Sequence, residues 1–399
     1  MPGPLDGVRV LDLTMMVSGP QTTMILADQG ADVVKVENLA TGDFSRLVTT
    51  ARGGFAAAFL NNNRNKRSLA LNLKDPKGVE ILKDLAKESD VIIQNFRPGV
   101  MDRLGIGEDA IREVAPSIIY VSISGFGETG PYKDKPVYDP LIQAVSGLAS
   151  IQGGSDDARP RLVRTIVPDK LTGYATSQAI CAALYSRTKT GEGQHIKISM
   201  LDTLIGFLWG SDMGGHTFVG NELEKENAQS FIDLIYETKD GYISVAVQSD
   251  KEWKNLCAAF EKPEWLTDPQ FLTAKLRTKN IDHRLNLTQE VLKTNTKGFW
   301  LEKLEAADVP CAPVLYRKEM IHHPQVEANE TLMLSDHPIA GPLRQARPAP
   351  RFSKTPTELR RGAPALGQHT AEVLAEAGVS EEQLTKLVAA GVVSLGEEK

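Results

Sequence analysis

This 399-residue sequence predicts an α/β protein, a doubly wound, Rossmann-like large domain carrying a smaller α+β domain. Three observations lead there. Short apolar runs alternate with amphipathic or alanine-rich stretches from Val8 to Met200, as expected for strands joined by crossover helices. Near Phe231 the pattern changes to a hairpin followed by helices. The length also exceeds what one hydrophobic core ordinarily supports. The large domain is expected at 1–220 with 326–399, and the small one at 221–325.

Val8 to Leu13 reads as a buried strand, followed by the loop Thr14-Met-Met-Val-Ser-Gly-Pro20. Gln21 to Gln29 reads as a helix stopped by Gly30. Asp32-Val-Val-Lys-Val-Glu37 is a second strand and completes a βαβ unit. Glu37 stands about where a dinucleotide fold places its ribose-binding acid. Ser18-Gly19-Pro20 supplies one glycine where that fingerprint wants three, which argues against a nicotinamide site. The polar run Asn61 to Arg67 leads into a strand over Ser68–Leu73, and an amphipathic helix spans Val79–Lys87. The strand Asp90–Gln94 ends in Asn95-Phe-Arg-Pro-Gly99; a helix over 107–114 and a strand over 117–124 continue the alternation. Ligands of such sheets bind beyond the carboxyl ends of the strands. Lys74, Asn95, Arg97 and Arg103 all lie just past those ends.

Gly125-Phe-Gly-Glu-Thr-Gly130 matches G-x-G-x-x-G, yet Pro131 and Pro136 prevent a long helix from opening on it. It reads as a glycine-rich site loop or a simple turn. Tyr138 and Asp139 precede a helix over about 140–149, either as site groups or as its cap. Gly191-Glu-Gly is a turn, His195–Met200 a strand, and Leu201–Trp209 an apolar stretch before a glycine-marked crossover. The hairpin is read at Phe231–Glu237 and Tyr242–Gln248, with helices near 251–260, 282–294 and 298–306, then the strand Cys311–Leu315. Trp253, Trp265 and Trp300 read as core. Pro342 to Pro364 reads as an extended tail, and 372–376 and 381–390 as closing helical pieces.

Composition narrows the function. The chain is 41% hydrophobic and 24% charged, the ordinary range of soluble globular proteins. Its net charge of −6 is interspersed, without the basic clustering that nucleic acid requires. No apolar run reaches the length of a membrane span. Cys181, Cys257 and Cys311 have neither disulfide nor zinc spacing, and His322-His323 lacks further ligands beside it, so no metal is expected. The first residues carry no signal or transit pattern, and a cytoplasmic location is expected.

Arg164 to Arg187 organises the rest. Pro168 and Asp169 stand at the mouth of an alanine-rich helix whose stripe reads Leu171, Tyr174, Ala175, Gln178, Ala182 and Tyr185. Asp169 is either a helix N-cap or a nucleophile that the helix terminus keeps ionised at neutral pH. The local sequence leaves both open.

Several motifs in order resemble the class III coenzyme A transferases, the formyl-CoA transferase-like (CaiB/BaiF) family. They are Leu5-Asp-Gly-Val-Arg-Val-Leu-Asp-Leu-Thr14, Gly30-Ala-Asp-Val-Val-Lys-Val-Glu37 and Asn65-Lys-Arg-Ser-Leu-Ala-Leu-Asn-Leu-Lys74. Asn95-Phe-Arg-Pro-Gly99, Pro168-Asp-Lys-Leu-Thr-Gly173, Gly191-Glu-Gly-Gln and Leu366-Gly-Gln-His-Thr continue the series. The resemblance implies an interlocked homodimer, an acyl-CoA and a small carboxylic acid as substrates, and no permanently bound cofactor. It implies that Asp169 is the nucleophile, with Tyr138 and Asp139 auxiliary to it. Lys74, Arg97 and Arg103 fall on positions that contact CoA, with Lys135 offset by one residue from such a position. Val17, Ser18, Leu71, Asn72, Leu73, Asn95 and Phe96 map to further CoA contacts.

Two departures from formyl-CoA transferases bear on the substrate. Val17 replaces a glutamine near the reacting group, and Gln248-Ser-Asp-Lys251 replaces a glycine-rich flap, with Gln248 a substrate candidate. A larger, less polar acid than formate or oxalate is expected, such as a dicarboxylate. The rival readings are a 2-methylacyl-CoA racemase and a CoA-binding protein without catalysis. The racemase wants a histidine where Tyr138 stands, and tyrosine is a poor base at neutral pH.

Overall fold

The computed structural model describes residues 2–48, 50–224 and 234–396. The chain divides into two compact units, Met1–Glu226 with Thr331–Lys399, and Asn227–Glu330.

The first unit is built in chain order from β1 (Arg9–Asp12), α1 (Ser18–Asp28), β2 (Asp32–Glu37), β3 (Lys66–Leu71) and α2 (Pro76–Lys87). There follow β4 (Val91–Gln94), α3 (Val100–Arg103), α4 (Glu108–Arg112), β5 (Ile119–Ser124), α5 (Asp139–Val145), α6 (Val167–Thr190), β6 (His195–Ser199) and α7 (Met200–Trp209). Strands β1 to β6 pair in parallel in the order β3-β2-β1-β4-β5-β6. The chain leaves β1 in one direction and returns to its other side at β4. That reversal opens a crevice beyond the carboxyl ends of β1 and β4. Apolar side chains of the sheet feed two cores, one around Leu11, Val34, Leu69 and Ile92, the other around Val10, Val33, Ile93 and Val121. A sheet buried on both faces explains why its strands read as continuous apolar runs.

Several elements differ from the sequence reading. The helix read over 140–149 is two pieces, Asp139–Val145 and Leu148–Ile151, parted at Gly147 with φ 93°. The second unit holds β7 (Ile235–Thr238), β8 (Gly241–Val245) and β9 (Cys311–Pro313), and the tail read as extended from Pro342 contains half of a hairpin, β10 (Leu332–His337) against β11 (Gly341–Ala346). A short β12 (Val393–Ser394) joins the sheet antiparallel to β3, a pairing too short and too distant in sequence to register as a pattern. The stripe read on α6 is the wrong face. Tyr174 and Tyr185 are 56% and 66% exposed, while Thr172, Gly173, Thr176, Ser177, Ile180, Ala183 and Leu184 are buried. Small side chains let α6 and α1 approach closely, so the face is chosen by size as much as by hydrophobicity. A Cβ added at Gly173 would stand 3.1 Å from the Ser18 carbonyl and 3.2 Å from Gln21 Cβ.

The second unit has a three-stranded antiparallel sheet, β9-β8-β7, of Cys311–Pro313, Gly241–Val245 and Ile235–Thr238. The first three residues of the strand read from Phe231 lie outside the described residues. Helices Asp250–Ala259, Ile281–Leu292 and Lys297–Ala306 accompany the sheet. Trp253, Trp265 and Trp300 are buried in its core, with the Trp253 and Trp265 rings stacked at 5.9 Å.

An ionic cluster without solvent contact lies under the β1–α1 loop. Lys66 Nζ donates to Asp12 Oδ2 (3.0 Å), the Pro20 carbonyl (2.9 Å) and Asn63 Oδ1 (2.7 Å). Lys35 Nζ donates to the Thr14 carbonyl (2.7 Å) and pairs with Asp43 (2.9 Å), at 3.9 Å from Asp12. Burial alone would raise the Asp12 carboxyl, but the two ammonium groups outweigh it and bring it down to about 2. Burial and the neighbouring Lys35 charge push Lys66 down to about 8 against the pull of Asp12. The stabilisation from Asp12 is therefore complete above the ordinary carboxylate range and drains away as pH falls from about 4 towards 2. Removing one member of such a cluster leaves uncompensated buried charge. Asp12→Asn is expected to cost roughly 3–5 kcal/mol in urea unfolding at pH 7, whereas the solvent-facing Lys87→Ala should change the midpoint little.

Candidate active site

Asp169 is the third residue of α6, whose N-cap is Ile166. It is thus not the helix cap that the local sequence left open. The cap is supplied from elsewhere. Asp139 Oδ2 accepts the Asp169 N–H at 3.3 Å, and Asp139 Oδ1 accepts from Gln143 Nε2 at 2.6 Å. Gln143 in turn accepts the Val163 N–H at 2.9 Å and donates to the Thr165 carbonyl at 3.3 Å, so one buried amide ties α5 to the segment leading into α6.

The Asp169 carboxylate faces the Ser18 N–H and hydroxyl, at the amino end of α1, and these dipoles favour its charged form. Burial first, then the Asp139 charge, push its pKa up to about 6, and the Ser18 donors hold it from rising further. Asp139 is raised as well, through burial opposed by Gln143 and the Asp169 N–H. The expectation that a helix terminus alone keeps Asp169 ionised is thus modified: the group sits near 6 and is roughly nine-tenths ionised at pH 7. A carboxylate of raised basicity, desolvated yet charged, is the state a nucleophile requires.

Ser18 is placed by its loop. Gly19 packs so closely on Thr14 that an added Cβ would lie 2.2 Å from Thr14 Cβ. Thr14 is bound at its N–H by Asp12 Oδ1 (2.9 Å), and Thr23 donates to Asp12 Oδ2 (2.6 Å). Thr22 Oγ1 lies within bonding distance of both the Ser18 and Gly173 carbonyls, at 2.8 and 3.2 Å. Helix α1 is therefore tied at once to the ionic cluster and to α6.

A cleft of about 450 Å³ opens at the carboxyl ends of β1, β2, β3 and β4. Of the residues expected to contact a ligand, Leu71, Asn72, Leu73, Lys74 and Phe96 line it, opposite Leu13, Thr14 and Met15. The loop 13–18 thus walls the cleft at one end and holds Asp169 at the other. Asn95 accepts the Met15 N–H (3.0 Å) and donates to its carbonyl (2.8 Å), so its amide clamps the two walls together. Arg97 and Arg103 are exposed on the stretch around α3 that follows Phe96, and Val17 is the N-cap of α1. Lys135 is exposed, its ammonium 3.9 Å over the Tyr132 ring. Gln248 follows β8 in the second unit, where its N–H donates to Glu252 at 2.9 Å. The auxiliary pair separates: Asp139 is buried on Asp169, and Tyr138 is 71% exposed. Glu37 is taken up by Arg46 and Ser68 (2.7 Å each), which leaves it unsuited to hold a ribose. Gly125 to Gly130 is a loop with no helix opening on it. The Asp12–Lys35–Lys66 cluster and Gln143 were not found from sequence; their only trace is charged or amide side chains inside otherwise apolar runs.

Residues 5–370 match the family model described as CoA-transferase family III. The chain belongs to that family. It is 36% identical to the human succinyl-CoA:glutarate CoA-transferase over 99% of this chain and 91% of the relative. It is 34% identical to a formyl-CoA:oxalate CoA-transferase of Streptomyces avermitilis, over 98% and 99%. A solved CaiB/BaiF family protein of Brucella suis superposes with a TM-score of 0.83 at 30% identity, covering 94% of this chain and all of that one. Family membership makes the chain a class III CoA-transferase with a parallel-dominated α/β fold. Among the described residues no helix is long and apolar enough to cross a membrane, and no group of three or more His, Cys, Asp or Glu could hold a metal ion.

The carboxylate pair has a measurable signature. In protein carrying carboxyl-¹³C aspartate, the Asp169 resonance should titrate near pH 6. Asp139→Asn, which keeps the acceptor for the Asp169 N–H while removing the charge, should move that titration to lower pH, and Ser18→Ala should move it higher.

Proposed function

We propose that this protein moves CoA from an acyl-CoA donor to a free carboxylic acid with Asp169 as nucleophile. The observation that carries the reading is a desolvated, charge-repelled carboxylate facing Ser18 at the end of the loop that walls the 450 Å³ cleft. Asp169 attacks the donor thioester carbonyl, the C–S bond breaks, and a mixed anhydride and CoA thiolate form. The thiolate attacks the aspartyl carbonyl of the anhydride and releases the donor's carboxylate, which leaves an aspartyl-CoA thioester. The acceptor carboxylate attacks that thioester and the same steps run in reverse. Thioester energy is conserved throughout, so no ATP is consumed. The Ser18 N–H and hydroxyl, at the positive end of α1, bind the aspartyl oxygen as charge builds on it.

CoA enters as a substrate, with no permanently bound cofactor. Lys74, Arg97 and Arg103, with Lys135, are assigned to its phosphates, whose charges favour basic side chains. Leu71, Asn72, Leu73, Asn95 and Phe96 are assigned to the nucleotide, and Val17 and Ser18 to the reacting end. The acceptor is read as a dicarboxylic acid larger than oxalate, because Val17 supplies an apolar wall and Gln248 stands in place of a glycine flap. Residues 1–220 with 326–399 are taken as the CoA-binding domain, 221–325 as the small domain, and two chains as an interlocked homodimer in the cytoplasm.

Incubation with a panel of acyl-CoAs, a hydroxylamine quench and mass spectrometry should find a hydroxamate on Asp169. Asp169→Ala should lose at least a thousandfold in transfer rate; transfer at the native rate would end the proposal, and α-deuterium exchange without labelling would point to racemisation. The transfer rate of the native enzyme should fall as pH drops through about 6, when Asp169 takes up its proton.

A further inference from the structure

A row of polar side chains crosses the β4–β5–β6 edge of the sheet and ends on the loop that forms one wall of the cleft. The Phe96 N–H donates to Gln94 Oε1 (2.8 Å), and Gln94 Nε2 donates to Ser122 Oγ (2.9 Å). Ser122 Oγ lies 2.9 Å from His195 Nε2, and His195 Nδ1 lies 2.5 Å from Glu108 Oε2. Arg112 Nε closes the row on Glu108 Oε1 at 2.7 Å. Gln94 and Ser122 are buried at 8% and 6% exposure.

Gln94 presents its carbonyl to the Phe96 N–H, so its amide nitrogen must donate to Ser122. Ser122 Oγ and His195 Nε2 share one hydrogen bond, and His195 Nδ1 meets Glu108, which Arg112 holds in place. Tyr120 sets the ring from the side, edge-on at 5.1 Å, and its hydroxyl donates to the Ile106 carbonyl at 3.1 Å. Every buried donor and acceptor of the row is used, and removing one leaves its neighbour in Gln94 free to turn.

What Gln94 fixes is the first residue of the stretch 96–104. Phe96, Val100 and Leu104 from that stretch line the cleft, and Arg97 and Arg103 lie on it. Asn95 anchors the same stretch from the opposite side, on Met15. We infer that Ser122 and His195, oriented by Glu108, are positioning residues for the CoA-binding wall: they act through Gln94 on Phe96 and touch no reacting atom. The inference rests on the cleft being the acyl-CoA site. Asp169 is held by a different set of contacts, Ser18, Asp139 and Gln143. Loss of the row should therefore weaken CoA binding and spare the chemical step.

The test uses the full-length enzyme, with CoA binding followed by calorimetry and transfer kinetics by varying acyl-CoA. Ser122→Ala and His195→Ala should raise the Kd for CoA and the KM for acyl-CoA about tenfold, with kcat within about twofold of native. That corresponds to roughly 1.4 kcal/mol of lost binding. His195→Gln, whose carboxamide can still accept from Ser122, should recover most of the loss. Glu108→Gln, at a partly exposed position, should give an intermediate rise. A purely structural role would lower the active fraction and so kcat, with KM unchanged; that result, or native Kd and KM in all four variants, would overturn the inference. Failure of the underlying reading looks different: the native enzyme itself would then bind no CoA, and both would fall together.

Discussion

The site depends on two lysine ammonium groups buried against Asp12 beneath the β1–α1 loop. Lys66 reaches the Pro20 carbonyl and Lys35 the Thr14 carbonyl, so the cations bind both ends of the loop as well as the carboxylate. Buried charge is costly unless it is paired, and Thr14, Thr23, Asn63 and Asp43 supply the partners here. Such an arrangement tolerates one backbone path. That path delivers Ser18 to Asp169 and leaves Leu13 to Met15 walling the cleft.

Around this fixed loop the electrostatics run in opposite directions within a short distance. Asp12 is driven down by two cations, whereas Asp169 is driven up by burial and by Asp139. The first carboxylate serves the fold and is inert. The second faces the donors of Ser18 and keeps a raised basicity. Asp139 serves both ends: it caps α6 and keeps the Asp169 charge uncomfortable, and Gln143 prevents it from turning away. Close packing of α1 on α6 at Gly173 brings the amino end of α1 against that of α6.

The alternation of strands and helices was legible because a parallel sheet covered on both faces leaves continuous apolar runs separated by glycine and proline. Asp169 stood out as a carboxylate at a helix mouth, and ordered motifs from Leu5 to Thr370 carried the family. The wrong stripe on α6 has a simple cause: Tyr174 and Tyr185 are the larger apolar groups, yet contact with α1 rewards small ones. The β10–β11 hairpin and β12 were missed because a proline-rich composition and a two-residue pairing leave little periodicity. Gln143 and the row from Gln94 to Glu108 join residues many positions apart, through single hydrogen bonds that no periodicity records.

By itself the sequence determined the class of fold, the position of the nucleophile candidate and the family, since each is written in local pattern and in motif order along one dimension. Which carboxylate is inert and which is basic was decided only by the tertiary structure. Asp12, Asp139 and Asp169 are the same side chain, and their differences arise from the charges, donors and loss of water that folding gathers around each of them.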